Sequence, residues 1–198
     1  MKTLVLAVVV ATLVGAAAEP AAAAARQDQD CVVFVDSGIR KCFDNYRSAI
    51  EFATGGAISD APLSAQVASD DPAFRVKVND LSARGKLTSN PNTALSVDAQ
   101  QSGEVIGAVL FTGSHYTGSS ETFMTPYPCP ENGKIDFGWK LGSSLDRHAR
   151  SVQSWGNCWV WLYDSPNQDW QGQRQGPYKE DAPDLGDWND RATMLGLS

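Results

Sequence analysis

The sequence predicts an all-β C-terminal domain, two Greek-key motifs forming a β-sandwich, preceded by a small α/β module of a hairpin plus helices. Three observations carry this expectation. After Gly103 the chain reads as short strand-like runs punctuated by Gly, Pro, Asn and Asp, with no long amphipathic helix pattern. That half contains one arrangement of aromatics, glycine and polar residues twice. The stretch from Cys31 to Arg84 instead starts as a hairpin and continues with apolar residues spaced three and four apart.

Residues 1–25 read as a signal peptide. Lys2 is followed by the apolar run Leu4–Val14 and then small residues, with cleavage expected after Ala18 or Ala25. The run is too short to span a bilayer alone and no second one follows, so the mature chain is expected to be secreted, with no membrane partner. Lys and Arg number 16 against 23 Asp and Glu, a net charge of −7. Such a chain is a poor ligand for nucleic acid, which would repel it.

Residues 26–86 form the predicted α/β module. Cys31-Val-Val-Phe-Val-Asp-Ser-Gly-Ile-Arg-Lys-Cys42 reads as a strand, a turn at Asp36-Ser37-Gly38 and a returning strand. Four cysteines in an exported chain should pair, and three connectivities exist. We favour Cys31 with Cys42, which face each other about the turn, and therefore Cys129 with Cys158. Asp44 is the expected N-cap of a helix carrying Tyr46, Ala49, Ile50 and Phe52 on one face, ended by Gly55-Gly56. Further helices are expected from about Ala61 to Arg84, with Leu63, Val67, Phe74, Val76, Val78 and Leu81 as their apolar set. Residues 87–102, rich in Ser, Asn, Thr and Gln, read as a linker.

The domain at 103–198 holds the repeat. Its first copy opens with Phe111-Thr-Gly-Ser-His-Tyr116-Thr-Gly118, and its second with Tyr163 and then Trp170-Gln171-Gly172, two residues longer in the hairpin. Each copy runs on to a polar cluster, Asp146-Arg147-His148-Ala149-Arg150-Ser151 in the first and Asn189-Asp190-Arg191-Ala192-Thr193-Met194 in the second. A glycine two residues after the aromatic lets a folded hairpin close with positive φ, which a Cβ opposes. The aromatic pair packs over that hairpin. Two such units supply eight short strands, enough for a sandwich.

These motifs resemble the βγ-crystallin fold, whose pattern is aromatic-x4-aromatic-x-Gly followed by an Asn/Asp-Asn/Asp-x-x-Ser/Thr-Ser calcium signature. More narrowly, the chain is similar to a secreted actinobacterial branch with small metalloproteinase inhibitors and killer-toxin-like proteins. The resemblance spans about Val105 to Leu197 and implies calcium as a ligand. In its terms Asn189, Asp190 and Thr193 match the first, second and fifth signature positions, with Met194 in place of the last serine. Backbone carbonyls around Phe111 and Thr112 would complete that site. In the other signature Asp146 and Ser151 fit, but Arg147 and Arg150 bring donor-only cations where an oxygen is needed. A salt bridge from Arg150 to a neighbouring carboxylate would fill that vacant place. The same residue types also tie down turns without any metal. A single imperfect site implies weak affinity, on the order of 10⁻⁴ M or poorer.

Other chemistry is sparse. His115 and His148, the only histidines, fall in a hairpin turn and inside the damaged signature, and read as loop residues. No Gly-x-Ser-x-Gly, His-Glu-x-x-His or phosphate-cradling motif occurs, and no catalytic residue is assigned. Trp155, Trp159, Trp161, Trp170 and Trp188 crowd the C-terminal half. Alternation puts Trp159, Trp161 and Tyr163 on one strand face and Val160 and Leu162 on the other, and we read the aromatic set as packing. The expected function is that of a secreted, monomeric, non-enzymatic binding protein. The resemblance suggests a secreted protease as partner, making the chain a peptidase inhibitor. A cell-wall polysaccharide is the alternative partner, and a calcium-stabilised envelope protein the third reading.

Overall fold

A computed structural model describes residues 28–84 and 105–198. The expected signal peptide (1–25) and linker (87–102) lie outside the described residues. The N-terminal part comprises β1 (Asp30–Phe34), β2 (Arg40–Phe43), α1 (Tyr46–Ala53), α2 (Ala65–Ser69) and α3 (Pro72–Arg84). The first repeat supplies β3 (Val105–Phe111), β4 (Ser120–Thr125), β5 (Phe137–Lys140) and β6 (Ser151–Ser154). The second supplies β7 (Val160–Asp164), β8 (Gln173–Tyr178) and β9 (Met194–Leu197).

One sheet has the order β2-β1-β4-β3-β6 and the other β5-β9-β7-β8. Each repeat therefore sends its third segment to the opposite sheet. β5 leaves the first repeat to pair with β9, and Ala182 of the second repeat bridges to Val152 in β6. This reciprocal exchange makes two interlocked Greek keys. The eighth strand expected from the sequence is reduced to that single bridge, in a stretch carrying Pro183, which has no N–H to extend a ladder.

The hairpin does not stand apart from the sandwich. β1 pairs in parallel with β4, Cys31 beside Glu121 and Val33 beside Phe123, so two strands are added to the first sheet. In the hairpin Cys31 lies opposite Cys42, and the two are bonded; Cys129 is bonded to Cys158. Both expected pairings are present.

Three layers result, with an apolar core in each gap. Between the sheets lie Val33, Leu110, Phe123, Leu145, Val152, Val160, Leu162, Leu195 and Leu197. Between the first sheet and the helices lie Phe34, Tyr46, Ile50, Phe74, Val109, Phe111, Met124 and Trp155. β1, β3 and β4 contribute to both cores, and β3 is buried at all seven positions, which is why its sequence is a continuous apolar run without alternation.

Local sequence explains the helices, with two corrections. Asn45, not Asp44, caps α1: its side chain accepts from Ser48 N at 3.0 Å, while Asp44 is one residue too early to reach the free N–H groups. Gly55 and Gly56 follow with positive φ, and Gly56 N donates to Glu51 O. The apolar set assigned to the later helices is also revised. Phe74 and Val78 are buried as expected, but Leu63, Val67 and Val76 are exposed, and Ala65 and Ala68 take the inward positions of α2. The break between α2 and α3 at Asp70-Asp71 resets the helical phase, so no single periodicity runs across both.

Candidate functional site

The two polar clusters meet at a pseudo-two-fold centre. Arg147 N donates to Ala192 O at 2.8 Å, and Asp190 N donates to Ala149 O at 3.0 Å. Arg147 and Asp190, the second positions of the two signatures, share a left-handed backbone with φ of 56° and 60°. Arg150 N binds Phe111 O and Thr193 N binds Tyr163 O, each at 2.8 Å, which aligns the fifth positions as well. The sequence alignment of the two signatures is thus reproduced in space.

The four residues named as metal ligands are held differently from one another. Asp190 is bound by the Arg150 guanidinium, with Nε 2.9 Å from Oδ1 and Nη2 2.6 Å from Oδ2. That contact holds the Asp190 carboxyl below its ordinary pKa and raises that of Arg150. Thr193 is buried, and its hydroxyl accepts from Ser165 N at 2.9 Å and faces the carbonyls of Ser165 and Tyr163. It fastens the second hairpin as Ser151 fastens the first, where Ser151 Oγ donates to Gly113 O at 2.7 Å and accepts from Tyr116 N at 3.1 Å. Thr112 Oγ1 accepts from Ser119 N at 2.9 Å. Asn189 Nδ2 donates to Asp184 Oδ1 at 3.1 Å, while its Oδ1 is buried without a hydrogen-bond partner.

Calcium needs six to eight oxygens with free lone pairs. As arranged, this donor set does not fit the ion. The Asp190 carboxylate already faces a cation, the Thr193 hydroxyl is spent on its own hairpin, and a guanidinium stands at the fifth position of the first signature. Among the described residues no group of three or more His, Cys, Asp or Glu is gathered for a metal.

A cleft lies beside this centre, between the hairpin strands and the 142–148 turn. Its volume is about 710 Å³ and its lining includes Gln29, Arg40, Thr112, Glu121, Ser144 and His148. Glu121 is the side chain that the sequence analysis missed. It shares the inward face of β4 with Phe123 and its side chain is 2% exposed. Its Oε1 accepts from Arg40 Nε at 3.0 Å, Arg40 Nη2 at 2.8 Å and Ser144 Oγ at 2.7 Å. Alternation puts Glu121 on the same face as the core phenylalanine two residues on, but it is the pairing of β1 with β4 that buries it.

The tryptophans divide between the cores and the surface. Trp155 and Trp188 are buried in the two cores. On β7 Val160 and Leu162 face the inter-sheet core, and Trp159, Trp161 and Tyr163 share the outer face of the second sheet; the expected packing role holds for Tyr163, which is buried, and is corrected for Trp159 and Trp161, which are partly exposed. Inward packing is taken by the aliphatic pair because the inter-sheet gap is already filled by Leu195, Leu197 and Trp188. Lys179 Nζ sits 3.7 Å from the Trp159 ring centre and the Arg174 guanidinium 4.7 Å from that of Trp161. Trp170, 38% exposed, lies over Gly138 and meets Tyr163 edge-on at 5.0 Å.

No protein-family model matches the chain, and no curated protein matches it. Solved structures do. Over 46% of its length the chain is similar to a betagamma-crystallin domain from Clostridium beijerinckii, at 19% identity, 95% coverage of that domain and a TM-score of 0.35. The same share is similar to a betagamma-crystallin domain from Flavobacterium johnsoniae, at 18% identity, 92% coverage and a TM-score of 0.34. It is also similar to the betagamma-crystallin domain of Abundant Perithecial Protein from Neurospora crassa in its Ca²⁺-bound form, at 12% identity, 87% coverage and a TM-score of 0.33. The description of this chain as two Greek keys rests on its own strand order and exchanged segments.

Proposed function

We propose that the protein is an exported binding module of βγ-crystallin type that acts without catalysis and docks on an anionic cell-wall polysaccharide. The observation that supports this reading is the outer face of the second sheet. Trp159, Trp161 and Trp170 lie there with Arg174 and Lys179, an aromatic and basic surface on a chain of net charge −7. Aromatic rings stack on sugar rings, and the paired cations answer carboxylate or phosphate groups along the polymer. Gly138 and Gly196 keep that sheet face low enough for Trp170 and Tyr163 to lie across it.

Calcium plays no part in this reading, because Arg150 supplies the positive charge at Asp190. The protease-target reading rests on the sequence resemblance to the inhibitor branch. The test is sedimentation of the mature protein with purified cell walls, before and after removal of their anionic polymers. Retention that depends on those polymers and drops in the Trp161→Ala and Lys179→Ala variants supports the proposal. Equal retention by all variants, or inhibition of a secreted metalloprotease without any retention, overturns it.

A further inference from the structure

We propose that the cleft between the β1–β2 hairpin and the 142–148 turn is a second binding site, taking one neutral sugar unit through the carboxylate of Glu121. It lies away from the outer face of the second sheet and does not depend on the polysaccharide reading.

The cleft exists because the hairpin widens the first sheet. β2 and β1 extend beyond β4, whereas in the opposite sheet the edge strand is β5. Glu121 sits under that overhang, on the inward side of β4 beside Cys31. A carboxylate in this position is costly unless its lone pairs are used. Arg40 and Ser144 both bind Oε1, while Oε2 is buried with no hydrogen-bond partner. Glu121 is thus held in one orientation where it lines a cavity of about 710 Å³, within the size range of small-molecule sites, and its desolvated Oε2 is an acceptor that a hydroxyl donor entering the cleft would satisfy.

The neighbouring groups select the ligand. A metal cation would meet one carboxylate already neutralised by Arg40, with no second acid gathered beside it among the described residues. An anion brings only acceptors to Glu121 Oε2, which is itself an acceptor in need of a donor. An apolar ligand would leave Glu121 Oε2 without a donor in a wall that also carries the hydroxyls of Ser119, Ser143 and Ser144. A neutral ligand with several hydroxyl donors suits all of them. One hydroxyl donates to Glu121 Oε2, and another reaches Arg40. His148 stands at the rim, where its Nδ1 donates to Asp146 O at 2.6 Å and Nε2 is left for a ligand.

The test is a titration of the isotope-labelled protein with glucose, galactose and N-acetylglucosamine, followed by amide NMR shifts, with glycerol as control. The expected result is saturable shifts at Gln29, Ser119 and residues 142–145 with one of the three sugars. Glu121→Gln keeps the volume and the Oε1 contacts but replaces the acceptor by a donor, and should weaken binding roughly tenfold or more. Gly142→Phe is a second variant that does not touch the buried carboxylate. Gly142 lines the cleft and a Cβ there meets nothing within 4 Å, so a bulky side chain at this position should crowd the cleft and abolish the shifts. No saturable shift with any sugar, shifts equalled by glycerol, or shifts unchanged in both variants would overturn the proposal.

Discussion

The guanidinium of Arg150 and the carboxylate of Asp190 face each other across the two Greek keys, joined by Nε at 2.9 Å and 3.1 Å and Nη2 at 2.6 Å. They stand at unlike signature positions, the fifth of one and the second of the other. The positive charge that a calcium ion would bring is supplied from within the chain. The internal cation cannot dissociate, so this junction should be insensitive to chelators.

The pair sets a pH dependence. Asp190 has a lowered pKa in the folded state, chiefly through its hydrogen bond to Arg150. A depressed carboxylate contributes stability that is present above its unfolded pKa and lost as pH falls through the folded value. At neutral pH Asp190→Asn should therefore lower the melting temperature slightly, since the pair is largely solvent-exposed. The difference between wild type and variant should be constant from pH 7 to about 5 and narrow below pH 4. Thermal melts across that range check it.

Calcium should respond to the fifth position. Millimolar calcium added to the chelator-treated wild type should leave its melting temperature unchanged. Arg150→Ser removes the competing cation and restores a hydroxyl beside Asp190. In that variant calcium should bind and stabilise, by about 2.7 kcal/mol at a hundredfold excess over its Kd. Calorimetry on Arg150→Ser, and on Arg150→Ser combined with Asp190→Ala, separates a restored site from a general salt effect.

Much of this architecture was legible because it is written in local chemistry. Gly118 and Gly172 betray the folded hairpins, Cys31 and Cys42 are placed symmetrically about a turn, and the signatures align by type. Other parts depend on long-range pairing that no local pattern reports. Nothing in the hairpin's sequence indicates that β1 lies along β4, ninety residues away. Glu121 reads as an ordinary strand charge until that pairing buries it. The outward turn of Trp159 and Trp161 was equally hidden, since alternation gives two faces and not which of them is core. For the same reason the exposure of Val67 and Val76 was invisible: their neighbours Ala68 and Val78 offer the sheet a competing apolar set.

The hairpin glycines should be the least replaceable residues of the sandwich. Gly172 has φ of +131°, and a Cβ there would lie 2.2 Å from Asp164 O, a backbone atom that cannot move aside. Gly172→Ala should destabilise the protein by about 3 kcal/mol or more. Gly142→Ala, where a Cβ meets open space, should be nearly neutral. Urea denaturation of the two variants side by side tests the contrast.

Removing the Cys129–Cys158 bond should be as costly as losing a core side chain. It closes a separation of 29 residues and both cysteines are buried. The chain-entropy model gives about 3.5 kcal/mol for a loop of that length. The Cys31–Cys42 bond, with a separation of 11, should contribute about 3 kcal/mol. Denaturation of the two double-serine variants checks the order.

The helical layer should unfold together with the sandwich. Phe74 of α3 is 3% exposed and lies edge-on to both Tyr46 and Trp155, at 6.2 Å from each ring centre. Arg75 beside it lies over Trp155 and pairs with Asp181, whose other oxygen accepts from Ser154 N. One turn of α3 thus touches α1, β6 and the second repeat at once. Phe74→Ala should cost about 3–5 kcal/mol by loss of buried surface and the cavity left behind. If the layers are one cooperative unit, circular dichroism and tryptophan fluorescence should shift to lower urea together, with a single transition. Two separated transitions, with only the helical signal displaced, would instead make residues 28–84 a unit that folds by itself.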